Sequence, residues 1–229
     1  MHSRIFLAAL GAFLVACGGA DDPVAPSNLS ATELGTGGGT TTAGTVVPIF
    51  TGRGTSIDAT VGDVNTKFCD AGPMLKVPSG HFEDSAPSAT IAGVLTAKDL
   101  ECITAGAGTK SIAEASANDV RLTIAGNTIT VARVHSMVNA ACPPQGGPKS
   151  QGHTIVRDLV VNGKPVAVLN TANQRVNLPN GFIVISDQTS FVTQFHAGRT
   201  LKAIRVVIDK GETLADIALA RTQGHIDCP

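Results

Sequence analysis

The chain has 229 residues, and 17 Lys and Arg against 18 Asp and Glu give it a formal net charge of −1. So balanced a charge provides no basic surface for the phosphates of nucleic acid, and nucleic acid is therefore excluded as a predicted partner. The chain also contains no Trp and no Tyr. It lacks the flat aromatic side chains on which bases and sugar rings commonly stack.

Residues 1–16 are predicted to be a signal peptide. A short basic start is followed by an uncharged run over residues 5–16, which is shorter than the roughly 20 apolar residues that span a membrane. The run ends in Leu14-Val15-Ala16-Cys17, directly before two glycines. This ending resembles the lipobox of bacterial lipoproteins, and the resemblance implies that Cys17 is lipidated and becomes the mature N-terminus. An ordinary signal peptide that is cut nearby is the alternative.

Residues 17–48 are predicted to comprise the lipidated cysteine and a flexible linker. The stretch 18–48 is mostly Gly, Ala, Ser, Thr, Pro and Asp, which offers too little apolar surface to offset the entropy of ordering. Several acyl chains on Cys17 would attach the protein stably to a membrane. We therefore expect a lipid-anchored protein of the bacterial cell envelope. Gly18, rather than an aspartate, follows the anchor, which favours the outer membrane.

Residues 49–229 are predicted to form one β-rich domain. Apolar and polar residues alternate in several short runs, which is the pattern of strands with one buried face. Turn signals separate these runs at Gly126-Asn127, Asn162-Gly163, Asn180-Gly181 and Lys210-Gly211. Asn and Gly tolerate the positive φ of a tight type I′ hairpin turn. Closely spaced strands and turns, without a sustained helical period, predict an all-β antiparallel sandwich.

Four stretches of this domain carry a family resemblance. They are CDAGPM at 69–74, IAEASANDVRLTIAGNTITV at 112–131, IVRDLVVNGKPVAVLNTANQRVNLPNGFIVISDQ at 155–188 and LKAIRVVIDKGETLADIALARTQGHIDC at 201–228. In this order they resemble the choice-of-anchor P family of bacterial exported proteins. The resemblance implies a single β-rich domain outside the cytoplasm, whose means of attachment differs among members. It implies no reaction, and therefore no catalytic residue and no cofactor.

Four cysteines remain in the domain once Cys17 is assigned to lipidation, and an even count in an exported protein predicts two disulfides. A hairpin over residues 111–142 would place Cys142 near residue 111. A preceding strand that ended at Cys102 would reach the same end of the sheet. We therefore predict a Cys102–Cys142 disulfide and, by elimination, a Cys69–Cys228 disulfide. Zinc is not predicted, because no short Cys-x-x-Cys pair is present.

Three groups of residues are candidates for chemistry. His81, Glu83 and Asp84 place a base and two carboxylates in a predicted loop, although a solvated loop is the favoured interpretation. Asp99 and Glu101 share a strand face at two-residue spacing, as paired-carboxylate catalysis requires, but such a pair is more often a wet strand face. Four histidines could meet at a metal ion, although their spacing does not require it: His135, His153, His196 and His225.

The sequence contains no Gly-x-Ser-x-Gly elbow, no HExxH and no phosphate-binding loop. We therefore predict a domain without catalytic activity that binds or spaces an unidentified partner at the cell envelope. Two alternatives remain open, namely an unrecognised hydrolase and a metal-binding lipoprotein built from histidines and carboxylates. Both alternatives require these residues to come together, whereas histidines scattered over separate faces favour the non-catalytic module.

Overall fold

The computed structural model describes residues 47–169, 171–211 and 214–229. The predicted signal peptide, Cys17 and nearly all of the predicted linker lie outside these ranges. Within them the protein is all-β, as predicted, with two antiparallel sheets packed face to face. The described ranges contain no helix that is long and apolar enough to traverse a bilayer.

The described residues form thirteen strands. In chain order they are β1 (Ile49–Val61), β2 (Val64–Val77), β3 (Gly80–Ile91), β4 (Leu95–Ala107), β5 (Lys110–Ile124), β6 (Asn127–Ala141), β7 (Lys149–Arg157), β8 (Val160–Val161), β9 (Lys164–Pro165), β10 (Gln174–Leu178), β11 (Gly181–Val192), β12 (His196–Ile208) and β13 (Ala215–Asp227).

The chain crosses between the sheets twice. The sheet that we call sheet A has the strand order β10-β11-β12-β13-β1-β2, so the first two strands complete a sheet that is built mostly from the end of the chain. Sheet B has the order β3-β4-β5-β6-β8-β9, and β7 also pairs with β6. Every strand pair in both sheets is antiparallel.

The predicted hairpin turns are present, two of them displaced by one residue. Asn162-Gly163 forms the predicted turn, with φ values of 50° and 76°. The first turn lies at Ala125-Gly126, because the buried Asn127 already belongs to β6 and donates from Nδ2 to Asn180 Oδ1 at 2.7 Å. The third turn lies at Pro179-Asn180, one residue earlier than predicted, because Gly181 already begins β11 and pairs with Leu178. The Lys210-Gly211 signal falls in the connection between β12 and β13.

The two sheets approach closely at the centre of the sandwich because small residues face each other there. A Cβ atom on Gly54 in β1 would lie 2.4 Å from the carbonyl oxygen of Glu114 and 2.9 Å from that of Ile103. The facing strand β5 contributes three buried alanines at this level, namely Ala113, Ala115 and Ala117. Larger aliphatic side chains, among them Ile57, Leu122 and Ile204, fill the remainder of the main core.

The four domain cysteines form two disulfides, as predicted, but the predicted pairing is wrong. Cys69 pairs with Cys102, and Cys142 pairs with Cys228. Cys69 lies on β2 and Cys228 follows β13, both in sheet A, whereas Cys102 lies on β4 and Cys142 follows β6 in sheet B. Each disulfide therefore links one sheet to the other.

The pairing prediction fails because β4 is longer than the sequence suggested. It continues past Cys102 to Ala107, so that Cys102 lies opposite Ala115 in the middle of β5. Cys142 lies just beyond the end of β5 at which that strand begins, and its N–H donates to the carbonyl oxygen of Thr109. The six residues of strand between these two levels correspond to about 20 Å. The Cα atoms of a disulfide are rarely more than about 7 Å apart, so Cys102 and Cys142 cannot be joined.

Candidate functional site

Two of the four candidate histidines meet an aspartate on the outer face of sheet A. His196 begins β12 and lies directly opposite Asp227, the last residue of β13. His225 lies two residues before Asp227 and points to the same face, since alternate residues of a strand share a face. Ile226 between them is fully buried in the core. We call His196, His225 and Asp227 the sheet A cluster.

The polar atoms of the sheet A cluster converge on one carboxylate oxygen. Asp227 Oδ1 lies 2.7 Å from His196 Nδ1 and 2.8 Å from His225 Nε2. The contact with His196 is a well-formed hydrogen bond. The contact with His225 is equally short but misaligned, so that His225 Nε2 is shielded from solvent without a hydrogen-bond partner among the described residues.

Phe191 on the neighbouring strand β11 supports one side of the sheet A cluster. Its ring lies edge-on to the His225 ring, with centroids 5.1 Å apart. The ring also rests on Gly198, which is its direct partner on β12. A Cβ atom at Gly198 would lie 2.4 Å from Phe191 Cε1, so only glycine leaves room for this arrangement. A cavity of about 130 Å³ borders Phe191, Gly198 and His225.

The other two candidate histidines meet a glutamate on the outer face of sheet B. His135 Nε2 donates to Glu114 Oε1 at 2.7 Å, and the His153 ring lies 5.5 Å from the His135 ring between centroids. The hydrogen bond from His135 holds the pKa of Glu114 below its ordinary value. Burial and the nearby His135 lower the pKa of His153. We call Glu114, His135 and His153 the sheet B cluster.

His81, Glu83 and Asp84 lie in strand β3, so the predicted loop is wrong. Gly80 to Ala86 pair continuously with β4, which extends the backbone there. His81 Nε2 and Glu83 Oε2 are 3.6 Å apart and both side chains are mostly exposed. Asp84 instead accepts hydrogen bonds from the backbone N–H groups of Asp70 and Ser85. The three side chains do not form one site.

Asp99 and Glu101 are exposed on β4, as expected for a wet strand face. The ladder between β4 and β5 is irregular on both sides of Lys98, and Asp99 has a φ of 45°. This β-bulge places Lys98 and Asp99 together in solvent.

A series of ion pairs crosses the outer face of sheet A, and each joins two neighbouring strands from β11 to β2. The pairs are Asp187 with Lys202, Asp216 with Arg205, Asp58 with Arg221, and Asp70 with Arg53. Hydrogen bonds from Arg205 lower the pKa of Asp216. Burial favours a higher pKa for Asp70, but hydrogen bonds from Arg53 and Thr55 outweigh it, and the pKa is lowered.

An apolar cleft of about 740 Å³ lies beside the Cys142–Cys228 disulfide. Its wall includes Phe195 and several prolines, among them Pro143 and Pro148. Phe195 belongs to the short connection between β11 and β12, and Phe191 and Val192 at the end of β11 are also about half exposed or more. This apolar end of the sandwich adjoins the sheet A cluster, because His196 follows Phe195 directly.

Sequence reasoning identified the four histidines but missed Asp227 and Glu114. A signal for Asp227 is present in the segment HIDC at 225–228, where a histidine and an aspartate alternate around one apolar residue. On a strand, that spacing places both polar side chains on one face. The position of His196 could not be read in the same way, because it depends on the register between β12 and β13.

The fold and the site together define an all-β sandwich that two disulfides join sheet to sheet, with a partly exposed cluster of two imidazoles and a carboxylate. Comparisons of the chain with protein-family models, with curated proteins and with solved structures find no match. Membership of the choice-of-anchor P family therefore stays a prediction from the sequence.

Proposed function

We propose that the protein is a lipid-anchored module of the bacterial cell envelope whose domain at residues 49–229 binds a partner without catalysing a reaction. The observation that carries this proposal is the series of ion pairs across the outer face of sheet A. Charged side chains there join strand to strand in an open, ordered surface, and a sheet face held in this way suits recognition of a partner.

The carboxylates with lowered pKa values support a non-catalytic role. A general acid or base at neutral pH needs a pKa close to the working pH. The shifts observed here move the pKa downward, away from neutral pH, in Asp70, Glu114 and Asp216. Each of these carboxylates accepts hydrogen bonds from a basic partner. These carboxylates therefore stay ionised and act as structural partners, which is the other common origin of a perturbed pKa.

Lipid anchoring is proposed from Cys17 and from the composition of the segment after it. A linker of 31 residues has a mean span of about 30 Å as a flexible coil, so the domain would stand clear of the headgroups. The test is incorporation of labelled palmitate in cells, followed by fractionation. We expect labelling of the wild-type chain and none of Cys17→Ser, with Gly19→Ala as the matched control. Equal labelling of Cys17→Ser would contradict the anchor.

The non-catalytic role has a separate test in the deletion strain. Chains carrying His81→Ala, Asp99→Ala, Glu101→Ala or His153→Ala should each restore the wild-type phenotype, because these exposed side chains serve no reaction. Proximity labelling on living cells would identify the partner. A variant that folds and forms both disulfides, yet behaves like the deletion, would instead indicate an enzyme.

A second candidate function is metal binding, which the spacing of the histidines in the sequence does not favour by itself. The convergence of His196, His225 and Asp227 in the fold is the observation that favours it. The three side chains come from two strands, and both imidazoles lie within hydrogen-bonding distance of one carboxylate oxygen of Asp227. This candidate is compatible with a non-catalytic envelope module, since a bound ion can serve storage, transfer or recognition.

A further inference from the structure

We propose that His196, His225 and Asp227 bind one divalent ion of the first transition series, with Zn²⁺ and Cu²⁺ as the preferred ions. This inference goes beyond the proposed envelope role, because it names a ligand and the three side chains that hold it. It does not depend on the lipid anchor, since all three side chains belong to the β12–β13 pair.

The distances within the sheet A cluster suit a metal ion after a small adjustment. One ligand atom from each of the three residues lies within 4.8 Å of the others. Ligands about 2.0–2.1 Å from a tetrahedral ion are about 3.3 Å from one another. The contacts to Asp227 Oδ1, at 2.7 and 2.8 Å, need to open only slightly. His196 is half exposed at the start of its strand, so its ring is free to make that adjustment.

Hydrogen bonds alone leave the sheet A cluster incompletely satisfied. Asp227 Oδ1 accepts a well-aligned hydrogen bond from His196 but not from His225. Among the residues that the structure describes, His225 Nε2 therefore has no hydrogen-bond partner although it is shielded from water, which costs free energy in a folded protein. An ion placed between the two imidazoles and the carboxylate would take this lone pair, together with one lone pair from each of the other two ligands.

The ligand set determines the class of ion. Imidazole nitrogen suits Zn²⁺, Cu²⁺ and Ni²⁺, whereas Mg²⁺ and Ca²⁺ prefer sites made of oxygen alone. Two histidines and one carboxylate leave at least one coordination position open. His196 and Asp227 are both partly exposed, so solvent or a group from a partner can complete the coordination.

Two other groupings of side chains do not compete for the ion. Cys69, Asp84 and Cys102 lie close together, but the two sulfurs are joined in a disulfide and are not thiolate ligands. In the sheet B cluster, the Nε2 of the buried His135 is already hydrogen-bonded to Glu114. The His153 ring is the more exposed member of that cluster and offers a single further nitrogen, so removing it provides a matched control.

The test is a calorimetric titration of Zn²⁺ into the full-length protein, purified in mild detergent without a histidine tag and freed of metal. We expect one ion per chain. His196→Ala, His225→Ala and Asp227→Asn should each weaken binding by at least about 100-fold, the upper end of what loss of an outer-shell partner costs. His153→Ala and His81→Ala should bind as the wild type does. Urea unfolding and thiol counting establish that each variant is folded.

Two results would overturn the site. One is the absence of saturable Zn²⁺ binding by the folded wild-type protein. The other is undiminished binding by the folded triple variant His196→Ala/His225→Ala/Asp227→Asn, which would place the ion elsewhere. Cys17→Ser protein separates this proposal from the envelope role, because it should lose palmitate labelling while it keeps its affinity for Zn²⁺.

Discussion

Two clusters with the same composition lie on opposite faces of the sandwich, and they differ in what their side chains have left to offer. Each contains two histidines and one carboxylate. In the sheet B cluster, His135 is 7% exposed and its Nε2 is used by Glu114. In the sheet A cluster, His196 is half exposed and both imidazoles approach a single oxygen of Asp227. The first is centred on a hydrogen bond to a buried histidine, and the second is a more open set of ligand atoms.

Register accounts for the difference. In sheet A, His196 is directly opposite Asp227, and His225 precedes Asp227 by two residues on the same strand. In sheet B, the three residues lie on three strands: His135 is opposite Ser116 rather than Glu114, and His153 is opposite Met137. Direct opposition brings Cβ atoms closer than a diagonal relation does. The residue types in a cluster therefore do not define a site until the pairing of the strands that carry them is known.

Loss of a disulfide should have the largest effect and should distinguish the two ends of the sandwich. The cysteines of the Cys142–Cys228 disulfide are 86 residues apart in sequence, and removing a native disulfide typically lowers the free energy of unfolding by about 2–5 kcal/mol. Cys142→Ala/Cys228→Ala should also weaken Zn²⁺ binding, because Asp227 adjoins Cys228. Cys69→Ala/Cys102→Ala should destabilise the fold without that loss.

Urea unfolding and Zn²⁺ calorimetry, at a temperature where both double variants are folded, provide the comparison. Equal loss of Zn²⁺ affinity in the two variants would mean that the Cys142–Cys228 disulfide has no particular role in holding Asp227.

Removal of each carboxylate should show which cluster stabilises the fold. Glu114→Ala leaves the buried His135 without its partner, and we expect the free energy of unfolding to fall by about 1–2 kcal/mol. Asp227→Ala removes an exposed contact, which is worth about 0.5 kcal/mol or less. Urea unfolding of metal-free protein measures both. A larger loss from Asp227→Ala than from Glu114→Ala would reverse the structural assignment of the two clusters.

Gly198→Ala should affect the sheet A cluster through Phe191. The added Cβ atom must displace the Phe191 ring, which then no longer supports the His225 ring. We expect Zn²⁺ affinity to fall several-fold, with only a small change in stability because Phe191 is half exposed. Phe191→Leu should weaken binding in the same direction. If both variants bind Zn²⁺ like the wild type, Phe191 does not position His225.

The sheet B cluster should give the smallest effect, a dependence of stability on pH. The pKa of His153 is lower in the folded domain than its ordinary value of 6.5. As the pH falls below that value, the unfolded chain takes up protons more readily, so the free energy of unfolding decreases until the folded pKa is reached. His153→Gln should flatten this slope between pH 7 and pH 5, whereas His81→Gln should not.

Much of the fold could be predicted from sequence because its signals are local. Alternation and turn residues such as Asn162-Gly163 indicate strands and hairpins without reference to distant parts of the chain. The all-β sandwich that these signals predict is confirmed by the structure. The displaced turns show the limit of local signals, since Asn127 enters β6 through its contact with Asn180, which is distant in sequence.

The disulfides and the sheet A cluster could not be predicted in this way, because both depend on long-range register. Cys102 appeared to end a strand because nothing in the segment ITAGAG indicates that β4 continues through it. His196 and Asp227 are 31 residues apart, and only the pairing of β12 with β13 makes them neighbours. A single residue of slippage would place one of them in the core.

The most direct test of the account is a nitrogen-15 NMR measurement of the imidazole rings of the full-length protein before and after one equivalent of Zn²⁺. We predict that Zn²⁺ shifts the metal-bound nitrogens of His196 and His225, namely Nδ1 and Nε2 respectively, and leaves the rings of His135 and His153 unchanged. Shifts at His135 and His153 instead, or no shift at His196 and His225, would contradict the assignment of the sheet A cluster as the metal site.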